Sequence, residues 1–177
     1  AGLVGATITL VTVEKFSEAM DKFIAGECDI VTTDGSALVG RRAVNDALND
    51  WSIFPTSPIS KEPLGPFYRS NDSAWGDVIN WVVYATIIAD EYGVTSANVD
   101  SVDTDALPEL GRLFGANDGE LQTIMGLDAQ AFYNVIKQVG NYDEIYSRNL
   151  NPVGLFREGG ANDRWTNGGL IYAPPAR

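Results

Sequence analysis

The sequence contains no histidine and a single cysteine, Cys28. One cysteine cannot form an intramolecular disulfide, and together the two shortages leave out the usual zinc ligand sets. A Ser-His-Asp triad and a Cys-His pair are also excluded, because both use an imidazole as the general base. Most hydrolytic mechanisms are therefore excluded for this chain. We expect it to bind neither a metal nor a cofactor.

Basic residues are scarce as well. The chain has 12 Lys and Arg against 24 Asp and Glu, a net charge of −12. A surface of this sign repels phosphate backbones, so nucleic acid is not expected as a partner. The most apolar run, residues 78–89, contains Asn80 and is well short of the ~20 residues that span a membrane. It predicts a buried helix. Residues 1–10 show no secretory leader.

Hydrophobic residues make up 45% of the 177 residues, enough for a packed core. Within the first 60 residues, short β-branched runs alternate with amphipathic stretches. This alternation predicts an α/β fold in which helices flank a parallel or mixed sheet. The predicted strands are residues 6–11, 28–33 and 51–54, and the predicted helices are residues 13–25 and 37–48.

Proline and glycine are concentrated in residues 55–66, a composition that disfavours helix and predicts a boundary. After this stretch the pattern becomes helical. A long helix is predicted over residues 73–92, with Asn71 or Asp72 near its N-terminal cap. Short helices and loops follow, and residues 128–150 predict two amphipathic helices broken near Gly140 and Asn141.

Asp34 lies where a predicted strand ends and a helix begins, which is the edge at which open α/β folds bind ligands. The other interpretation is that Asp34 only caps the helix, and capping is the more frequent role for such a residue. The residues alone leave both open.

Other acidic residues are weaker candidates. Asp100, Asp103 and Asp105 lack the spacing, glycine and distal glutamate of a calcium loop, so they predict a solvated turn. Asp143 with Glu144, and Glu18 with Asp21, are candidate acid-base pairs, but we expect both to be surface charges on helices.

Five segments, in order along the chain, resemble the general L-amino-acid-binding proteins of polar amino-acid ABC transporters. They are CDIVTTDGSAL (residues 28–38), ISKEPLGP (59–66), YGVTSANVD (92–100), IKQVGNYDEIYSRN (136–149) and NGGLIYAPPAR (167–177).

The resemblance implies a periplasmic-binding-protein type II-like fold, in which two α/β lobes are joined by crossing strands. Residues 1–60 would be the later portion of lobe 2, and residues 61–69 the return strand through the hinge. Residues 70–177 would be the closing portion of lobe 1 with a helical C-terminal extension. A complete member is about twice as long, so the chain resembles its C-terminal part.

The resemblance also implies a function. The position matching Asp34 receives the ligand's α-ammonium group, and that matching Thr33 lines the same pocket. The protein would be periplasmic, with a signal peptide in its precursor, and would deliver L-amino acids to membrane permease subunits. The arginine that binds the ligand carboxylate would lie in the N-terminal half, so we expect weak binding by this chain alone.

Two other functions stay open. The chain could have a structural or interaction role, pairing with itself or with the missing half. It could also be an enzyme on the same fold, although its best candidate acid, Asp34, is already assigned to an ammonium group.

Overall fold

The computed structural model describes residues 5, 7–46, 50–55, 58–60, 63–116 and 119–176. The chain divides into two compact units, Ala1–Glu62 and Pro63–Arg177. The division falls within the proline- and glycine-rich stretch at residues 55–66. The assignment of residues 1–60, 61–69 and 70–177 to parts of two lobes stays a prediction.

The first unit contains two helices, α1 (Phe16–Ile24) and α2 (Gly35–Asn45). Both lie within or close to the predicted ranges. α1 has a strongly one-sided apolar face, from which Met20 is buried, and α2 buries Val39. Ile24, the last residue of α1, is 53% exposed.

Aromatic contacts complete the small core of the first unit. The Arg41 guanidinium of α2 lies 5.7 Å from the ring centre of Phe16 in α1, a cation–π contact. The Phe23 and Trp51 rings meet edge to face with centroids 5.0 Å apart. Asp46 fixes the approach to Trp51, because its carboxylate accepts hydrogen bonds from the backbone N–H groups of Asp50 and Trp51.

The predicted strands are not formed as a sheet in the part of the first unit that the structure describes. Residues 7–12, 28–34 and 50–55 are outside any helix and make no strand ladder there, and Ala6 lies outside the described residues. Ile8 and Leu10, the apolar residues of the first predicted strand, are 67% and 78% exposed. A strand requires a neighbour to bond its N–H and C=O groups, and these segments have none among the described residues. The predicted sheet is therefore unconfirmed.

The second unit is helical. Its helices are α3 (Ser73–Glu91), α4 (Pro108–Leu113), α5 (Glu120–Ile124), α6 (Ala131–Val139) and α7 (Tyr142–Leu150). Among the described residues, 3₁₀ turns accompany these helices at Val99–Ser101, Asn151–Val153 and Trp165–Asn167. The long predicted helix and the two helices broken at residues 140–141 are confirmed, with bounds that differ by one to three residues.

The core of this unit forms where α3 packs against α6 and α7. The C-terminal half of α3 supplies Ala85, Ile88 and Ala89, all at most 1% exposed, and α6 supplies the fully buried Phe132 and Ile136. α3 is buried over this half, as its apolar run predicted. No helix in the described part of the chain is both long and apolar enough to cross a membrane.

The helix ends follow from local chemistry. Asp72 accepts a hydrogen bond from the Trp75 N–H and caps α3, as the sequence predicted. Gly93 follows the helix with a φ of +67°, a conformation that favours glycine. Before α7, Asn141 and Glu144 form a capping box in which each side chain accepts from the other residue's backbone N–H.

The tail returns to the body of the second unit. Arg164 and Ile171 form an isolated parallel bridge. At the end of the described chain, the Ala176 N–H donates to Glu109 and the Ala176 carbonyl accepts from Arg112 Nε, both over 2.8 Å. These bonds fix the C-terminal residues against α4.

Candidate functional site

Thr33 and Asp34 are the last two residues before α2, and both are half-buried. Asp34 is the N-cap residue of the helix, with φ −53° and ψ 140°. Its backbone carbonyl accepts the first bond of the helix, from Leu38 N over 3.0 Å. The sequence therefore placed Asp34 correctly at a helix start, next to Thr33.

The side chain of Asp34 does not cap the helix. No hydrogen bond joins its carboxylate to the first turn of α2, whereas Asp72 bonds the first turn of α3. The interpretation of Asp34 as a side-chain cap is therefore not supported, because such a cap is defined by this hydrogen bond. The carboxylate therefore lies at the start of an 11-residue helix without a hydrogen bond to that helix.

The three aspartates that faintly resembled a calcium loop have other partners. Asp100 accepts from the Tyr133 hydroxyl and forms an ion pair with Lys137 at 2.6 Å. Asp103 accepts from the backbone N–H groups of Asp105 and Ala106, which makes it a turn residue. Across the described ranges, no group of three or more Cys, Asp or Glu is placed to hold a metal ion.

Glu144 is not a free surface charge as the sequence predicted. Besides the capping box, it accepts from the Ser96 backbone N–H and hydroxyl, the latter over 2.6 Å. Burial opposes the charge of Glu144, but the bonds from Ser96 and the Asn141 backbone outweigh it and hold its pKa below the ordinary value. The carboxylate is therefore a structural acceptor rather than a proton donor.

These bonds join two of the segments that carry the family resemblance. Residues 92–100 supply Ser96 and the Val94 carbonyl, and residues 136–149 supply Glu144 and Asn141. The Asn141 side chain donates to that carbonyl over 2.8 Å. Both segments hold the turn after α3 against the start of α7, so their role is to stabilise the second unit.

A buried ion pair in the second unit was missed by the sequence analysis. The Arg157 side chain is 3% exposed and that of Asp90 is 2% exposed, and Arg157 Nη2 lies 2.6 Å from Asp90 Oδ2. The two atoms form an ion pair without the alignment of a hydrogen bond. Arg157 Nη1 also lies 3.1 Å from Asp143 Oδ1. Asp143 was therefore wrongly expected to be only a surface charge.

The environment of Arg157 keeps its positive charge. Burial alone would lower its pKa, but Asp90 and Asp143 outweigh that effect and raise it. The guanidinium also lies 4.9 Å from the ring centre of Tyr142. Because Asp90 is at the end of an apolar helix and Arg157 is in an irregular tail, no periodic pattern links them. The signal in the sequence that could have indicated this pair was the charged residue Asp90 at the buried end of a helix.

Asp34 is thus a half-buried carboxylate with no bond to the helix that it begins, whereas Asp90 and Glu144 of the second unit have partners within that unit. No family model matches the chain. Similarity to known proteins is nevertheless extensive. A glutamate/glutamine/aspartate/asparagine-binding protein of Rhodobacter capsulatus is 42% identical over 97% of this chain and 51% of its own length. A general L-amino acid-binding periplasmic protein of Rhizobium johnstonii is 41% identical over 94% of this chain and 49% of its own length.

A solved structure agrees. The ABC transporter periplasmic binding protein from Brucella ovis with glutathione bound is 41% identical, with a TM-score of 0.85 over 94% of this chain and 52% of that one. The fold of the chain is therefore that of part of a periplasmic binding protein.

The proteins that the chain is similar to are periplasmic binding proteins, and the chain is a homologue of their amino-acid-binding members. The resemblance stated from the sequence is thereby confirmed. The chain spans about half the length of the curated relatives it matches. Those relatives are named as binding proteins of transporters, not as enzymes.

Proposed function

We propose that this chain forms the part of a periplasmic amino-acid-binding protein that receives the ligand's α-ammonium group on Asp34, with Thr33 lining the same pocket. The observation that carries the proposal is the Asp34 carboxylate, which is half-buried at the start of α2 and makes no capping bond. A charge-assisted hydrogen bond from an ammonium group would satisfy it.

The ligands named for the relatives support a site of this kind. They are glutamate, glutamine, aspartate, asparagine, L-amino acids in general, and glutathione. Their side chains differ in charge and size, but each ligand carries an α-ammonium next to an α-carboxylate. In glutathione this pair belongs to the γ-glutamyl residue. A carboxylate that contacts only the ammonium group would accept all of them.

The complete protein would bind free L-amino acids in the periplasm and deliver them to permease subunits without transforming them. The segments at residues 7–12 and 28–33 would be strands of an α/β lobe, paired with polypeptide that the chain does not span. An arginine for the ligand carboxylate would lie there too. The chain alone is therefore expected to bind amino acids weakly, because a carboxylate without a bidentate partner loses much of its binding energy.

A chimera tests the Asp34 assignment at measurable affinity. The half of the Rhodobacter capsulatus relative that this chain matches is replaced by this chain, and calorimetry measures binding of L-glutamate and L-glutamine. Asp34→Asn should weaken binding about ten- to a hundredfold, the equivalent of one charged hydrogen bond of roughly 1.5–3 kcal/mol. Asp29→Asn, an exposed aspartate five residues earlier, is the matched control and should leave affinity unchanged.

A ligand without the ammonium charge allows the protein and the ligand to be changed separately and together, as in a double-mutant cycle. N-acetyl-L-glutamate should bind the unmodified chimera weakly, and Asp34→Asn should add little to that loss because both changes remove the same contact. Equal affinity of the Asp34→Asn and unmodified chimeras for L-glutamate would refute the assignment. Chemical conversion of the bound amino acid would favour the enzyme instead.

A further inference from the structure

Asp34 is followed in the sequence by a glycine, Gly35, at the first position of α2. Because glycine has no side chain, its backbone nitrogen is less hindered than that of any other residue with an N–H group. The Asp34 carboxylate makes no hydrogen bond to the first turn of the helix. The pair therefore combines an unhindered backbone nitrogen with a neighbouring side-chain carboxyl that the helix does not hold.

The backbone nitrogen of this pair is free as well. The Gly35 N–H donates to no described residue, as is usual for the first N–H groups of a helix. Gly35 is exposed, and a Cβ added at this position would meet nothing within 4 Å. Water therefore reaches the peptide bond between Asp34 and Gly35.

A similar pair in the second unit, Asn167 and Gly168, is held by hydrogen bonds. The Asn167 side chain donates to Asp163 Oδ1 over 3.1 Å, and the Gly168 N–H donates to the Trp165 carbonyl over 3.0 Å. Both residues of the pair are exposed, so exposure does not set them apart from Gly35. These two bonds have to open before the Gly168 nitrogen can approach the Asn167 side chain.

We infer that Asp34 is a modification site at which isoaspartate forms without an enzyme. The Gly35 nitrogen attacks Cγ of the protonated Asp34 carboxyl, the carboxyl OH and the N–H proton leave as water, and a five-membered succinimide forms. Water then adds to the backbone carbonyl carbon of residue 34 and breaks its bond to nitrogen, so that the chain continues through Cγ. One water is released and one is consumed, and no oxidant or cofactor is required.

The product would alter the candidate ligand site. Isoaspartate lengthens the backbone between residues 34 and 35 by one carbon and attaches the free carboxylate directly to Cα. The carboxylate is thereby displaced from the start of α2, and an ammonium group bound there would lose its partner. This consequence rests on the proposed function, whereas the formation of isoaspartate does not.

Incubation of the purified chain at mildly acidic pH tests the inference. Isoaspartate is measured by labelling with an isoaspartyl methyltransferase and is located by mass spectrometry of peptides, which separates residue 34 from the second Asp-Gly pair at residues 118–119. Gly35→Ala should slow the reaction at least about fivefold, because a Cβ restricts the backbone beside the attacking nitrogen. Gly40→Ala, at a glycine of α2 with equally open surroundings, is the matched control and should leave the rate unchanged.

Unfolding in urea separates the effect of structure from that of sequence. For each site, the rate in the folded chain is divided by the rate in urea. This ratio should be at least about tenfold smaller for Asn167 than for Asp34, because two hydrogen bonds hold the Asn167 pair. Circular dichroism checks that both alanine variants fold. The inference is overturned if isoaspartate does not accumulate at residue 34 of the folded chain, if the two alanine variants react equally, or if the two ratios are equal.

The chimera with the Rhodobacter capsulatus half distinguishes this inference from the proposed function. L-glutamate at a concentration far above its Kd should slow isoaspartate formation at residue 34, because the bound ammonium group holds the carboxylate, and should leave Asn167 unaffected. Isoaspartate that forms at the same rate with and without bound L-glutamate would refute the ligand contact at Asp34, and the modification site would stand.

Discussion

The buried pair of Asp90 and Arg157 should dominate the stability of the second unit. Replacing one partner leaves the other charged group buried without its counter-charge, which costs about 3–5 kcal/mol. The two single variants should differ. Asp90→Asn leaves Arg157 with Asp143 at 3.1 Å, so we expect about 3 kcal/mol. Arg157→Met leaves the buried Asp90 with only Arg164 Nε at 3.6 Å, so we expect a cost nearer 5 kcal/mol.

These costs are large for a unit of this size. Stabilities of roughly 0.05–0.15 kcal/mol per residue give about 6–17 kcal/mol for the unit Pro63–Arg177. Arg157→Met would therefore remove between about a third and most of it. The double variant should lose less than the sum of the two singles, because the uncharged Asn and Met side chains leave neither partner's charge uncompensated.

Urea unfolding followed by circular dichroism measures the free energies, since α3, α6 and α7 provide most of the helical signal. The exposed pair of Lys137 and Asp100 gives the control. Its side chains are 41% and 56% exposed, so Asp100→Asn should cost far less than either substitution in the buried pair. The reasoning is refuted if Asp90→Asn costs no more than Asp100→Asn, or if the double variant loses the full sum.

Two further predictions concern the second unit. Because hydrogen bonds lower the pKa of Glu144 in the folded state, its contribution to stability is present above its ordinary value of 4.5 and is lost as pH falls through the folded value. Glu144→Gln should flatten the decline of the unfolding free energy below about pH 4.5, and an unchanged slope would contradict this. The effect of Glu91 on stability has the opposite dependence on pH, because burial raises the pKa of Glu91 in the folded state. A Cβ at Gly169 would overlap the Asp163 backbone carbonyl, whereas one at Gly40 would meet nothing. Gly169→Ala should therefore cost about 1–3 kcal/mol in urea unfolding, and Gly40→Ala, in a helix, should be neutral or slightly stabilising.

The helices could be predicted because their signals are local. The apolar run in α3, the cap at Asp72 and the break at Gly140 each depend on residues within a few positions of one another. The pair of Asp90 and Arg157 could not be predicted in this way. It joins residues 67 positions apart in the sequence, one in a regular helix and one in an irregular tail, and only tertiary packing brings them together.

The predicted strands are unconfirmed for a related reason. A β-branched run such as residues 28–33 indicates a residue preference, but a strand exists only with a partner at hydrogen-bonding distance. In the described part of the first unit no segment provides that partner. Alternating apolar residues such as Ile8 and Leu10 are consequently exposed. The same alternation predicts burial in a complete lobe, where a neighbouring strand is present.

The acidic residues differ in whether the chain itself supplies their partners. Glu144, Asp90 and Asp163 are shielded from water, and each has donors or cations of its own within the second unit. Exposed acids such as Glu18 are satisfied by solvent. Asp34 is half-buried yet makes no bond to the helix that it begins. A partly shielded carboxylate gains from a cationic partner, and this supports the proposal that Asp34 receives the ammonium group of an amino acid.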